Sequence, residues 1–153
     1  MIGPDPTGGG PGRPALFGLN RLSTPRLVTW AAKGTNLNRL VEEARENGIE
    51  LGSARAGSRV RADGARLEWT LTDPFVPRQG GVLPFFIDWP GPDHPALTNT
   101  VEAELLSLMA RHPDSATVRR QLAALELDLF VATGSRPGLE AVFRIRGETV
   151  VLN

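Results

Sequence analysis

A shift of 78 positions lays the stretch Arg26 to Leu51, RLVTWAAKGTNLNRLVEEARENGIEL, without a gap on Glu104 to Leu129, ELLSLMARHPDSATVRRQLAALELDL. Leu27, Val28 and Thr29 fall on Leu105, Leu106 and Ser107; Asn36 falls on Asp114, Leu40 on Val118, Ala44 on Leu122 and Ile49 on Leu127. The correspondence is of residue type more than identity, so what recurs is a folding unit: strand, helix, strand. Two copies of one supersecondary unit pack together to bury what neither buries alone.

With 153 residues and 41% hydrophobic content, the chain can bury one core shared by two such units. Residues 1–24 form a lead-in and connector. Its first part, MIGPDPTGGGPGR, is too rich in Gly and Pro to bury much, and its GGG lacks the preceding strand and the GK[ST] of a phosphate loop. Residues 25–90 form the first unit. Leu27 to Ala32 reads as a buried strand, and Asn36 is placed to cap a helix with Leu37, Leu40, Val41 and Ala44 on one face. Gly48 ends that helix, and strands follow at Ile49 to Arg61, Arg66 to Thr72 and Val82 to Trp89. Asp63-Gly64 is a hairpin signal, whereas Pro74, Pro77, Gly80 and Gly81 mark a longer loop. Residues 91–100 read as a linker. Residues 101–153 form the second, shorter unit: a strand at Val101 to Ala110, a helix from Asp114 burying Val118, Leu122 and Leu125, a strand at Leu127 to Thr133, and a hairpin about Gly147. The fold class is α+β.

Charge narrows the partners. Lys+Arg and Asp+Glu balance at 17 each and Lys33 is the single lysine, so there is no basic patch of the kind that holds nucleic acid. No cysteine is present, which excludes disulfides and thiolate metal sites. No apolar run approaches the roughly 20 residues of a membrane span, and residues 1–20 lack the pattern of a signal peptide. The expectation is a cytoplasmic protein with neither nucleic-acid nor membrane partners.

Three groups of residues carry a family likeness: Phe17-Gly-Leu-Asn-Arg-Leu22 with Arg26-Leu-Val-Thr-Trp30; Gly57-Ser-Arg59-Val-Arg61-Ala-Asp-Gly64 with Leu67-Glu-Trp69-Thr-Leu-Thr72; and Leu83-Pro-Phe-Phe-Ile-Asp-Trp89 with His94-Pro95. In their order and spacing the chain resembles the vicinal oxygen chelate superfamily of glyoxalases, extradiol dioxygenases and fosfomycin-resistance proteins, and most closely its glyoxalase-like domain branch. The resemblance implies two βαβββ-type modules in a curved mixed sheet with helices on the outer face, and a small-molecule site in the concavity. It also implies a further module ahead of Arg26, whose last strand would run into Ile2 to Pro6. The family's divalent-metal site takes a histidine from a module's first strand and a glutamate from its last. Those positions fall here near Thr29 and near Phe85 or Phe86, none of which is a good ligand, so no metal or other cofactor is expected unless ligands come from outside this chain.

The residues themselves offer few alternatives. Of the two histidines, His94 lies near Asp93 and Asp88 in a Pro-rich stretch and His112 precedes a helix; each reads as an exposed loop residue. No Ser-His-Asp set with a Gly-x-Ser-x-Gly elbow is present. Arg59 and Arg61 point the same way on a strand and can hold a carboxylate or phosphate, although a solvated face is the plainer reading. Asp88 can act as a base or simply bond turn amides. The pocket expected from the sequence is apolar and Arg-rimmed, lined by Trp30, Arg59, Arg61, Trp69, Phe85, Phe86 and Asp88. Its function is small-molecule binding, with two rivals: a metal-dependent lyase or dioxygenase with ligands from a missing module or partner subunit, and a non-catalytic dimerisation module. A homodimer is expected because exposed sheet edges and apolar faces invite pairing.

Overall fold

The computed structural model describes residues 22–24, 26–60, 64–91 and 102–153, together with Phe17. Along them run β1 (Ala31–Lys33), α1 (Leu37–Glu46), β2 (Arg55–Val60), β3 (Arg66–Leu71), β4 (Phe85–Asp88), β5 (Ala103–His112), α2 (Ser115–Ala124), β6 (Phe130–Thr133), β7 (Gly138–Ile145) and β8 (Glu148–Leu152). Strand, helix and three strands thus occur twice in an α+β chain, as the sequence predicts. The expectations for the lead-in, for Arg61, for Asp63 and for the linker carrying Asp93 and His94 lie outside the described residues.

The repeat extends to the helix ends. Past α1, Gly48 donates to the Arg45 carbonyl at 2.9 Å and Ile49 to that of Ala44 at 2.8 Å; past α2, Glu126 donates to Ala123 at 3.0 Å and Leu127 to Leu122 at 2.9 Å. Both are Schellman endings, in which the first residue past the cap takes a left-handed conformation. The beginnings differ. Asp114 caps α2 by accepting the Thr117 N–H at 3.0 Å. Asn36 precedes α1 but makes no side-chain cap, because its backbone sits at φ 49°, ψ 58° instead of the extended geometry that aims a cap inward.

The strands form two four-stranded mixed sheets, ordered β1-β4-β3-β2 and β6-β5-β7-β8. Connection length explains why equal element order gives unequal sheet order. Between β3 and β4 the chain runs from residue 72 to 84, far enough to carry β4 across to lie parallel beside β1. Between β7 and β8 there are only Arg146 and Gly147, both with positive φ (51° and 86°), the signature of a type I′ turn. So tight a turn holds β8 against β7, and β5 pairs instead with β7 and, in parallel, with β6.

Several predicted strands are shorter than the sequence suggests, β4 and β6 among them. Of the predicted Leu27 to Ala32 only Ala31 and Ala32 join the ladder, which runs on to Lys33, and residues 49–54 precede β2, where Ile49 and Leu51 bury their side chains in the core. That core is a single cluster drawn from both units: Leu37, Val41 and Ala44 of α1 and Phe86 of β4 join Val118 and Leu122 of α2 with Ala110, Val131 and Leu139 of the second sheet.

Candidate functional site

Strand alternation divides the residues that the sequence proposes as one lining. Ala32 stands beside Phe86 in the β1–β4 register, and Phe86 is core at 3% exposure. Asp88, two residues on, shares that face and is paired with Thr70. Phe85 and Trp69 therefore look the other way, with Trp69 opposite Gly57, and Arg59 two positions along on an exposed stretch of β2. The Trp69 ring meets Trp89 at 5.4 Å, centroid to centroid. Trp30 spends its indole N–H on the Val82 carbonyl at 2.8 Å, which makes it a tether between the segment before β1 and the loop before β4. Phe86 and Asp88 thus cannot line a common pocket with Trp69, Arg59 and Phe85, because neighbouring strand positions face opposite sides.

Beside this face the described residues form a pocket with a volume of about 230 Å³. One wall is Phe17 with Val28 and Thr29, just ahead of β1; the other is the loop 74–81, contributing Pro74, Val76, Pro77, Arg78 and the glycine pair Gly80-Gly81. Glycine is required at residue 81, whose φ is 94° and where a Cβ would collide with the Val28 carbonyl, so the two walls meet backbone to backbone. The loop is also tied to the second unit, through the Gln79 side-chain amide donating to Gln121 Oε1 at 3.0 Å and through Gly80 packed on Pro137. Phe85 is the sequence-proposed residue that reaches this place: its ring stacks on Phe17 at 5.3 Å and lies 5.9 Å from the Arg78 guanidinium carbon.

Arg78 is the unusual group. It is 5% exposed, in a class of side chain that is almost never buried without a counter-charge. Nη1 donates to the Asp73 carbonyl at 2.8 Å and Nη2 to the Pro74 carbonyl at 2.9 Å. Among the described residues no carboxylate lies within ion-pairing distance of it; the ion pairs there are Arg39–Glu43, Arg66–Glu68 and Arg144–Glu104. The Asp73 carboxylate is instead bonded to the Phe75 N–H at 2.9 Å. Burial pushes the guanidinium below its ordinary pKa, with the Asp73 charge opposing that shift. Two polar atoms in this pocket's residues are buried without any hydrogen-bond partner, Arg78 Nε and Thr29 Oγ1. An unpaired buried donor costs about 1–3 kcal/mol.

The sequence marks residues 74–81 only as a loop of prolines and glycines. The available signal was an arginine enclosed by those residues, Pro74, Pro77, Gly80 and Gly81. Thr29 and Phe85 are also the positions where the family's metal ligands would fall. A neutral hydroxyl and a phenyl ring do not fit a divalent cation, and among the described residues no three of His, Cys, Asp and Glu gather. His112, read from the sequence as a loop residue, instead ends β5, where its Nδ1 accepts the Asp114 N–H at 3.0 Å.

Comparison with known proteins agrees with this architecture. A family model described as a glyoxalase-like domain matches residues 1–126. Among solved structures, the crystal structure of a hypothetical protein from Staphylococcus aureus is similar with a TM-score of 0.54 at 11% identity, a likeness of fold alone. The alignment covers 82% of this chain and 65% of that one, so this chain spans about two thirds of the length of that structure. No curated protein matches the sequence.

Proposed function

We propose that this chain, which belongs to the glyoxalase-like domain family, binds a small organic molecule, and does so in the pocket between the loop 74–81 and the segment 28–29. The observation that carries this reading is the pair of partnerless polar atoms, Thr29 Oγ1 and Arg78 Nε, belonging to residues that line one pocket. Buried polar groups are nearly always satisfied, so two partnerless ones in the lining of a single pocket mark it as a place for a ligand. At about 230 Å³ the pocket is below the roughly 300–1,000 Å³ of drug-sized sites, which suits a ligand of fragment size.

A ligand that binds only the native state raises the thermal midpoint by mass action. Screening small apolar-bodied fragments at millimolar concentration gives compounds that raise the midpoint of the native chain, and Val76→Phe, which fills the pocket, abolishes the rise. Fragments that act equally on both proteins, or a library with no effect, would contradict the reading. The protein is further proposed to act as a homodimer, in keeping with the exposure of Met109, Phe130 and Val151 at 37%, 64% and 53%. Sedimentation at micromolar concentration tests this, and a monomer there would contradict it.

A further inference from the structure

We infer that the ligand of this pocket is a monoanionic organic acid with a short apolar body, its carboxylate received by the Arg78 guanidinium and the Thr29 hydroxyl. The inference rests on the small-molecule reading above and names the chemical class that this site takes.

The charge count selects the anion. Among the residues lining the pocket Arg78 is the one cation and there is no acid, so the site presents a single positive charge, offset only in part by the nearby Asp73, and a monoanion matches it. A guanidinium carries five N–H donors. Two are spent on the carbonyls of Asp73 and Pro74, and Nε spends none. Hydrogen bonds between a guanidinium and a carboxylate are about twice as strong as neutral ones, and the fork geometry suits a planar carboxylate. One cation and one hydroxyl do not make the clusters that hold phosphate dianions.

The walls select the body. Phe17, Val28, Val76 and the two prolines offer apolar side chains for a ring or short aliphatic chain to lie against, beside a share of polar lining. Arg78 Nε and Thr29 Oγ1 lie beneath the pocket surface. Reaching them takes a rotamer change in the wall, of the sort that commonly accompanies binding.

Phenylacetate and its neutral isostere phenylacetamide make the test, titrated into the full chain at pH 7 with calorimetric detection. The expected result is saturable binding of phenylacetate with the amide at least tenfold weaker. Thr29→Val, which keeps shape and loses the hydroxyl, is expected to weaken the acid several-fold and leave the amide unchanged. Arg78→Met is expected to abolish the preference for the acid. Because Arg78 also braces its own loop, Arg78→Met is read only alongside a retained cooperative thermal transition, and the acid-to-amide ratio of the native chain decides the matter without it. Equal affinities for acid and amide would overturn the anionic class while leaving small-molecule binding in place. Binding of other neutral fragments with none for phenylacetate or related aryl and alkyl carboxylates would overturn it in the same way. An acid affinity untouched by Thr29→Val would remove Thr29 from the assignment.

Discussion

Gly48 and Glu126 hold the same left-handed position, one residue past the caps of α1 and α2, with φ 70° and 56°. Each closes its Schellman ending with the same pair of hydrogen bonds, so the repeat is structural down to single backbone amides. Only the second copy does it with a side chain that disfavours the conformation. The left-handed region costs a non-glycine residue roughly 1–2 kcal/mol, part of which glycine gives back through its freer unfolded chain. Glu126→Gly is therefore expected to stabilise the protein by up to about 1 kcal/mol, and Gly48→Ala to destabilise it by a similar amount. Urea denaturation of the two variants checks both signs.

The indole of Trp69 lies over Gly57, where a Cβ would stand 2.6 Å from Nε1. Gly57→Ala must push the ring away and disturb its contact with Trp89. Overpacking of this kind costs about 1–3 kcal/mol. The expected outcome is a lower denaturation midpoint with a shifted tryptophan emission maximum, and unchanged emission would mean that the ring has room that the geometry denies it.

Thr72 is fully buried and its Oγ1 accepts the Phe86 N–H at 3.0 Å. Thr72→Val keeps the shape and strands that amide, at a cost of about 1–3 kcal/mol. Hydrogen exchange at Phe86 should accelerate in step with the loss of stability.

Asp114 supplies the pH dependence. Hydrogen bonds from Thr117, through its hydroxyl and its backbone N–H, hold the carboxyl below its ordinary pKa. A lowered folded-state pKa gives stability that is fully present above the unfolded value of about 3.9 and is lost as pH falls through the folded value. Asp114→Ala is expected to be less stable than the native chain at pH 7, with the difference narrowing as pH drops below about 4. A difference that stays constant down to pH 2 would show that the cap does not act through its charge.

The sequence made the α+β class, both helices and the doubled unit legible because helical periodicity and the Gly48 stop are local signals. It did not make the sheet order legible, since that depends on whether a connection is as tight as Arg146-Gly147 or as long as residues 72–84. The residues of the proposed lining are divided between two strand faces for a reason visible in the sequence: Phe85 and Phe86 are adjacent on one strand and face opposite ways. Phe85 alone leads to the pocket. Arg78 stayed hidden because burial of a loop arginine follows no period and is decided by how the loop folds back, here onto Phe85 and the carbonyls of Asp73 and Pro74.

The most direct test of where this protein binds its ligand is methyl and indole NMR during titration with phenylacetate. The methyl signals of Val28 and Val76 are expected to move together and saturate, while the Trp69 indole N–H on the sheet face stays in place. Movement of Trp69 with Val28 and Val76 unchanged would put the ligand on the open sheet and contradict the assignment to the Arg78 pocket.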